Sequence, residues 1–297
     1  FTVLDAKEWR TNASGHHHWP ELDVRSQTDL DHAFKTLKPE VVVHIAAVVN
    51  TDKCANNPEN SIDVNLLGTL NVLKACETYG AKLMYFSTTA TYDPSPDTPR
   101  PFTEATQQRP PTLYGITKYA GEMLVTGQNK VPWIVIRPCF VFGDAPWDHS
   151  SQLCRVAVHQ VLRHAHHFDV GPTPIVTLDP DSTKDYMRVE DFADAIVAVL
   201  MQNDAWGNTF NVSGESPRFM GDYFTVLEKE LGLGPLDMEW NAKADYMGDH
   251  TVDSSLLRVL TNWKPKLKWK DGVRRTAAAA KEYVASVEAG LIPLLYK

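Results

Sequence analysis

The chain has 297 residues, 43% of them hydrophobic, and a formal net charge of −8. That length and apolar content support a sizeable core in one large domain or two smaller ones, and the acidic balance excludes a surface that tracks nucleic-acid phosphates. No apolar run approaches the roughly 18 residues of a membrane span, so neither nucleic acid nor a membrane is an expected partner.

In chain order, FTVLD (1–5) reads as a strand ending on Asp5. GHHHW (15–19) and, later, HAHH (164–167) crowd histidines together. Adjacent histidines diverge along a turn or helix, whereas zinc needs ligands converging from separate segments. With no HExxH and no CxxC, no metal is expected. PEVVVHIAAV (39–48) is a near-continuous apolar run, as in a strand buried on both faces. From Pro58 to Tyr79, Ile62, Asn65, Leu66, Thr69, Leu70 and Leu73 share one side of a helix that Gly80 stops. AKLMYFST (81–88) is the next strand, PTLYGITKYAGEMLV (111–125) the next helix, and VPWIVIRP (131–138) a further strand closed by Pro138.

This alternation predicts an α/β fold with a doubly wound, Rossmann-like parallel sheet. Beyond Gly143 the pattern loosens into helical stretches near 150–167, 190–203 and 219–231, with one strand, NTFNVSG (208–214), able to rejoin the sheet. The predicted division is a dinucleotide-binding domain of residues 1–143 plus about 184–212, and a smaller C-terminal substrate lobe of about 144–183 and 213–297. Cys54, Cys76, Cys139 and Cys154 are scattered, which suits a reducing compartment and an expected cytoplasmic location.

Dinucleotide folds of this kind carry a glycine-rich turn after their first strand and, roughly 20 residues on, an acid for the adenosine ribose. Asp5 fits that acid, or is only a strand-end carboxylate. The sequence holds neither GxGxxG nor GxxGxxG, so the first strand and its glycine loop are expected to be lacking. As a ribose ligand Asp5 favours NAD over NADP, because a carboxylate repels a 2′-phosphate. Arg10 and Arg25 are candidates to counter it. In YGITK (114–118) a phenol and an ammonium stand one helical turn apart; alone, that spacing fits an ordinary solvated helix equally well.

From Asp23 onward a series of stretches resembles the extended short-chain dehydrogenase/reductases, of the NAD-dependent sugar epimerase/dehydratase kind. They are LDVRSQTDL (22–30), VVVHIAA (41–47), NPENSIDVNLLGTLNVLKAC (57–76), YFSTTATYDPS (85–95), LYGITKYAGE (113–122), IRPCFVFG (136–143), KDYMRVEDFADAI (184–196) and NTFNVSGE (208–215). The resemblance implies NAD as cofactor. Asp23 and Val24 would hold the adenine, and Ala46 and Ala47 would let backbone approach the cofactor. Asn65 would brace the active-site strand, Ser87 would lie beside the nicotinamide ribose, and Arg137 and Pro138 would end the strand under the nicotinamide. Thr89, Tyr114 and Lys118 match the catalytic residues, with Tyr114 and Lys118 also contacting the cofactor.

A free phenol, with a pKa near roughly 10, is a poor base at neutral pH. A lysine one turn away and the positive nicotinamide both favour phenolate. Tyr114 is therefore expected to accept the alcohol proton, Lys118 to tune it and bind ribose, and Thr89 to hold the substrate hydroxyl. Sugar dehydratases of the family carry an Asp–Glu pair where this chain has Ala90 and Thr91, which argues against 4,6-dehydration. Phe140 stands where epimerases often place an asparagine against the nucleotide-sugar, and Lys184 where the family usually places an arginine. Arg188 and Arg218 are the candidates to supply that fork.

The expected function is an NAD-dependent epimerase of a nucleotide-activated sugar, working through a transient keto intermediate. The alternatives are a dehydrogenase of the same fold on another alcohol, and a non-catalytic structural homologue. Family members pack helices matching 58–79 and 112–127 against a twofold mate, so a homodimer is expected, with Leu67, Leu70 and Met123 permitting the contact.

Overall fold

Helix α1 (Gln27–Leu37) starts where the Ser26 hydroxyl accepts the Asp29 amide, and it buries Leu30 and Phe34. The computed structural model describes residues 22–49, 51–143, 152–165 and 172–291. Strand β1 (Val41–His44) follows, then α2 (Thr51–Asn56) and α3 (Pro58–Ile62), which runs through a π-helical turn (Asp63–Leu67) into α4 (Gly68–Tyr79). Gly80 ends α4 in the left-handed region at φ 73°, a conformation that costs glycine nothing. Next come β2 (Lys82–Phe86), α5 (Leu113–Thr126), β3 (Trp133–Pro138) and β4 (Phe140–Phe142).

The chain continues with α6 (Gln152–His164), β5 (Ile175–Val176), β6 (Thr183–Lys184), β7 (Tyr186–Arg188), α7 (Val189–Leu200) and β8 (Asn208–Val212). It ends with β9 (Arg218–Phe219), α8 (Met220–Leu231), β10 (Glu239–Trp240), α9 (Ser255–Thr261) and α10 (Trp269–Glu288).

The main sheet has the order β1-β2-β3-β8, all parallel, with Met84 opposite Val43 and Ile134, and Ile136 opposite Phe210. The expected parallel α/β sheet is present, and the strand at 208–214 does rejoin it. One expectation needs correcting. Among the described residues β1 pairs only with β2, and Val41 is exposed while Val42 and Val43 are half-buried. The apolar run marks a strand on the edge of the described sheet, where one flank has no neighbour among the described residues.

Three apolar clusters hold the structure. One lies between α1, α4 and one face of the sheet, around Phe34, Val72, Leu83 and Val135. The second fills the other face with Met84, Ile136, Ala195, Phe210, Leu257 and Trp263. The third joins α6, α8 and α10 through Val156, Leu227, Ala277 and Tyr283, and forms the body of the second lobe. Residues of the final third therefore serve two of the clusters: α9 covers the sheet while α10 packs on α6 and α8.

Candidate active site

The carboxyl end of β2 runs into a tight turn, Thr88–Thr91, in which the Thr88 hydroxyl accepts the Ala90 amide at 3.1 Å. Helix α5 approaches this turn closely because position 115 is glycine: a Cβ there would lie 2.7 Å from the Ala90 carbonyl oxygen. Tyr114, on the first turn of α5, thereby comes up against the end of β2. Its phenol stands beside the hydroxyl of Thr88, which pulls its pKa down, but burial dominates and pushes it up to about 12. Thr89 is 2% exposed and donates its hydroxyl proton to the Pro138 carbonyl at 3.1 Å. Of the two threonines, Thr88 is the one placed at the phenol.

Lys118 is 2% exposed, and its ammonium lies 4.4 Å from the centre of the Tyr85 ring. Burial lowers its pKa to about 7, with Glu122 opposing. In this geometry the ammonium faces Tyr85, and the groups that act on the phenol are Thr88, Tyr246 and Cys54. Asn65, inside the π turn, ties the site together: its Oδ1 accepts the Val48 amide at 2.7 Å, and its Nδ2 donates to Val48 O and to Thr117 Oγ1, both at 3.0 Å. It clamps the segment after β1 to α5 between Tyr114 and Lys118. Beneath it, the Thr69 hydroxyl donates to Asn65 O at 2.7 Å, so His44 Nε2 at 3.0 Å is the donor to Thr69.

Arg137 was expected only to close a strand; the structure shows a buried hub. Its guanidinium forks onto Glu122, reaches Tyr92 Oη at 2.8 Å and Gln108 Oε1 at 2.9 Å, and donates to Glu104 O at 3.0 Å. Tyr92 in turn donates to Asn211 Oδ1 at 2.6 Å, and Gln108 donates to Thr91 Oγ1 at 3.0 Å. Position 91, where dehydratases carry an acid, thus serves the turn itself, with its hydroxyl donating to Thr88 O at 2.9 Å.

On β6, Lys184 is fully buried, and its ammonium donates to both Asp245 oxygens, at 3.0 and 2.8 Å, and to Gly248 O. Arg188 is 2% exposed and turns its fork onto Glu190. Neither fits the expected anion-gripping role, because their donors are taken by internal partners. Arg218 is exposed, with its guanidinium 5.8 Å from the Trp269 ring and one nitrogen donating to Pro217 O at 2.7 Å. Phe140 stacks on Tyr186 with centres 5.1 Å apart and meets the His250 ring edge-on at 5.7 Å. The residues that sequence reasoning missed are Thr88, Glu122 and Tyr246. Glu122 and Thr88 lay in the quoted stretches 113–122 and 85–95; Tyr246 is marked only by the fold.

Of the residues expected at the cofactor, Asp5 lies outside the described residues, as do Arg10 and the histidines of 15–19. Asp23 is paired with Arg25 through contacts of 2.6–3.0 Å, which lowers its pKa. Val24 packs against Gly68. Ala46 is exposed and Ala47 half-buried at the end of β1, and Pro138 is half-buried at the end of β3. Two features fit a dinucleotide ribose. Among the described residues, Ser87 Oγ is buried with no hydrogen-bond partner, and the Lys118 ammonium lies over the Tyr85 ring face, a contact that does not engage its protons with an oxygen. A buried hydroxyl and a buried ammonium near one strand end suit a pair of ribose hydroxyls.

The family model of the NAD-dependent epimerase/dehydratase family matches residues 2–213. A putative UDP-glucose 4-epimerase of Methanocaldococcus jannaschii is 23% identical over 85% of this chain and 80% of its own length. The dTDP-glucose 4,6-dehydratase of Mycobacterium tuberculosis is 28% identical over 80% of this chain and 70% of its own. Among solved structures, the UDP-glucose 4-epimerase of Thermotoga maritima with UDP-glucose matches with a TM-score of 0.82 at 18% identity, over 96% of this chain and 92% of that one. The Thermus thermophilus UDP-glucose 4-epimerase complex with NAD gives 0.79 at 24% identity, over 94% and 90%. At that identity the structural likeness speaks for the fold, and the family model, covering more than half the sequence, speaks for descent: this chain belongs to the NAD-dependent epimerase/dehydratase family of enzymes, whose cofactor is NAD.

Proposed function

We propose that the chain is an NAD-dependent epimerase of a nucleotide-activated sugar, passing through a transient ketone. The observation that carries this reading is the meeting of Tyr114, Thr88 and Thr89 at the end of β2, beside the unpartnered Ser87 hydroxyl and the Lys118 ammonium. When bound, NAD supplies the hydride acceptor and a positive charge near the phenol. Tyr114 takes the proton from the substrate alcohol, and Thr88 donates a hydrogen bond to the developing phenolate. Thr89 offers its free lone pairs to the alcohol, while Lys118 and Ser87 hold the ribose. Ala90 and Thr91 supply no acid–base pair for eliminating water, which supports epimerisation over dehydration. The relatives named for UDP-glucose and dTDP-glucose support a nucleotide sugar.

A second reading, a dehydrogenase acting on an uncharged alcohol, is favoured by the commitment of Lys184 to Asp245 and by the aromatic environment of Phe140. Incubating the NAD-loaded protein with UDP-glucose separates the two. The 4-epimer appearing with no net absorbance at 340 nm supports the first, and NADH accumulating in step with ketone supports the second. Absence of NAD binding, read as no rise in melting temperature, removes both. For assembly, we propose a twofold contact through α4 and α5, where Leu67 and Met123 are 46% and 43% exposed. Sedimentation of a Leu67→Asp/Met123→Asp variant is expected to give a monomer where the wild type gives a dimer.

A further inference from the structure

Tyr246 is outside every motif that points to the site, yet it reaches α2, which packs on α5, the helix that carries the reacting phenol. The segment that carries it, residues 245–250, is held at both ends. Asp245 takes the Lys184 ammonium and the Ser182 hydroxyl, each at 2.8 Å, and Gly248 O accepts from Lys184 as well. Asp249 Oδ1 accepts the Thr183 amide at 2.7 Å, and the His250 amide donates to Thr183 O at 2.8 Å. The His250 ring then meets Phe102 and Phe140 edge-on, with centres 5.0 and 5.7 Å away. A segment fixed in this way gives its outward side chain a fixed place. Tyr246 reaches from the second lobe to α2 of the first, where its hydroxyl lies 3.3 Å from Thr51 Oγ1. It remains 40% exposed, and its phenol is near enough to Tyr114 to oppose that group's ionisation.

We propose, resting on the alcohol-oxidising role given to Tyr114, that Tyr246 contacts the substrate and sets specificity: its ring walls the reaction chamber from the second lobe and packs on the uncharged ring that bears the reacting alcohol. An aromatic face matches the C–H face of a saturated ring such as a sugar, and the bond to Thr51 fixes its angle. Two cations beside the segment are already committed. Lys184 is spent on Asp245 and Gly248, and Arg100 donates to the carbonyls of Pro94, Ser95, Thr98 and Asp249. Neither therefore lends its charge to this wall, whose recognition is of ring shape.

NAD-loaded wild type, Tyr246→Ala and Tyr246→Phe proteins are compared in initial-rate turnover of UDP-glucose and of methyl glucoside, with epimer and ketone both counted as products of alcohol oxidation. Tyr246→Ala is expected to raise KM roughly 10-fold or more for whichever alcohol the wild type oxidises, with NAD affinity within about twofold. Tyr246→Phe, which keeps the ring, recovers most of that loss. An unchanged KM in Tyr246→Ala overturns the proposal. A second readout needs no substrate: nitration of Tyr114 by tetranitromethane, followed by peptide mass. Removing the wall is expected to speed nitration several-fold in Tyr246→Ala over Tyr246→Phe, and equal rates overturn the proposal too. Faster nitration with neither alcohol oxidised by the wild type upholds the wall and removes the alcohol-oxidising reading instead.

Discussion

Burial holds the Tyr114 phenol protonated at neutral pH, with a pKa of about 12, while the same burial brings Lys118 down to about 7. A phenol with that pKa is ready to donate a proton to a ketone; it can accept one from an alcohol only once a positive charge arrives beside it. Binding of an oxidised pyridine ring supplies that charge, so the acid–base pair is set by occupancy. Tyr114→Phe removes the proton carrier and is expected to lower turnover by about 10²–10⁴-fold. NAD affinity, measured by fluorescence titration, should stay within a few-fold. A variant turning over at the wild-type rate would take Tyr114 out of the chemistry.

Among elements, α5 does the most. It presents Tyr114 and Lys118 to the crevice, and one turn further it buries Glu122 against Arg137, with side chains 1% and 5% exposed. A buried pair of this kind is costly to leave half-made. Glu122→Gln is expected to destabilise the fold by about 3 kcal/mol, read as a lower urea midpoint. The same change removes the charge that opposes deprotonation of Lys118. Helix α5, β2 and β3 were legible in the sequence because each keeps one period over its whole length. The π turn was not, since the apolar positions from 58 to 79 continue through it, and only the clamp from Asn65 to Val48 and Thr117 reveals what the extra residue achieves. Helix α10 carries its own stripe in Val273, Ala277, Ala280 and Val284, but alanine writes that stripe faintly. Tyr114 and Lys118 were legible through the series of family-like stretches around them, since their spacing alone also fits an ordinary helix. Tyr246 was not, because its partner Thr51 is 195 residues away and no local pattern encodes such a meeting.

At the scale of the whole molecule, two buried histidines should govern acid stability. Burial is the largest cause lowering both His44 and His250 to about 3 from an ordinary value of 6.5. Between those values the unfolded chain binds protons that the folded chain refuses. Stability is therefore retained above about pH 6.5 and falls as the pH drops towards 3, by at most ~1.4 kcal/mol per pH unit for each ring. Asp185 acts with the opposite sign: burial raises it from 3.8 to about 6, so its share of stability is present below pH 3.8 and lost as the pH rises through 6. Melting temperatures of His250→Phe against wild type across pH 4–7 should show a flatter acid limb, and parallel curves would refute the assignment.

The return of the chain to the sheet after residue 250 limits how its specificity could be moved between relatives. Phe102 bridges Val252, the Asp253 amide bonds Phe102 O, and Asn211 Nδ2 reaches both Phe102 O and Asp253 O. Grafting residues 213–297 from another family member as a single cassette would replace α9, the cover of β8, and present Asn211 and Phe102 with foreign partners. A working chimaera would have to import the 102–108 stretch along with that cassette, so the two halves must change together.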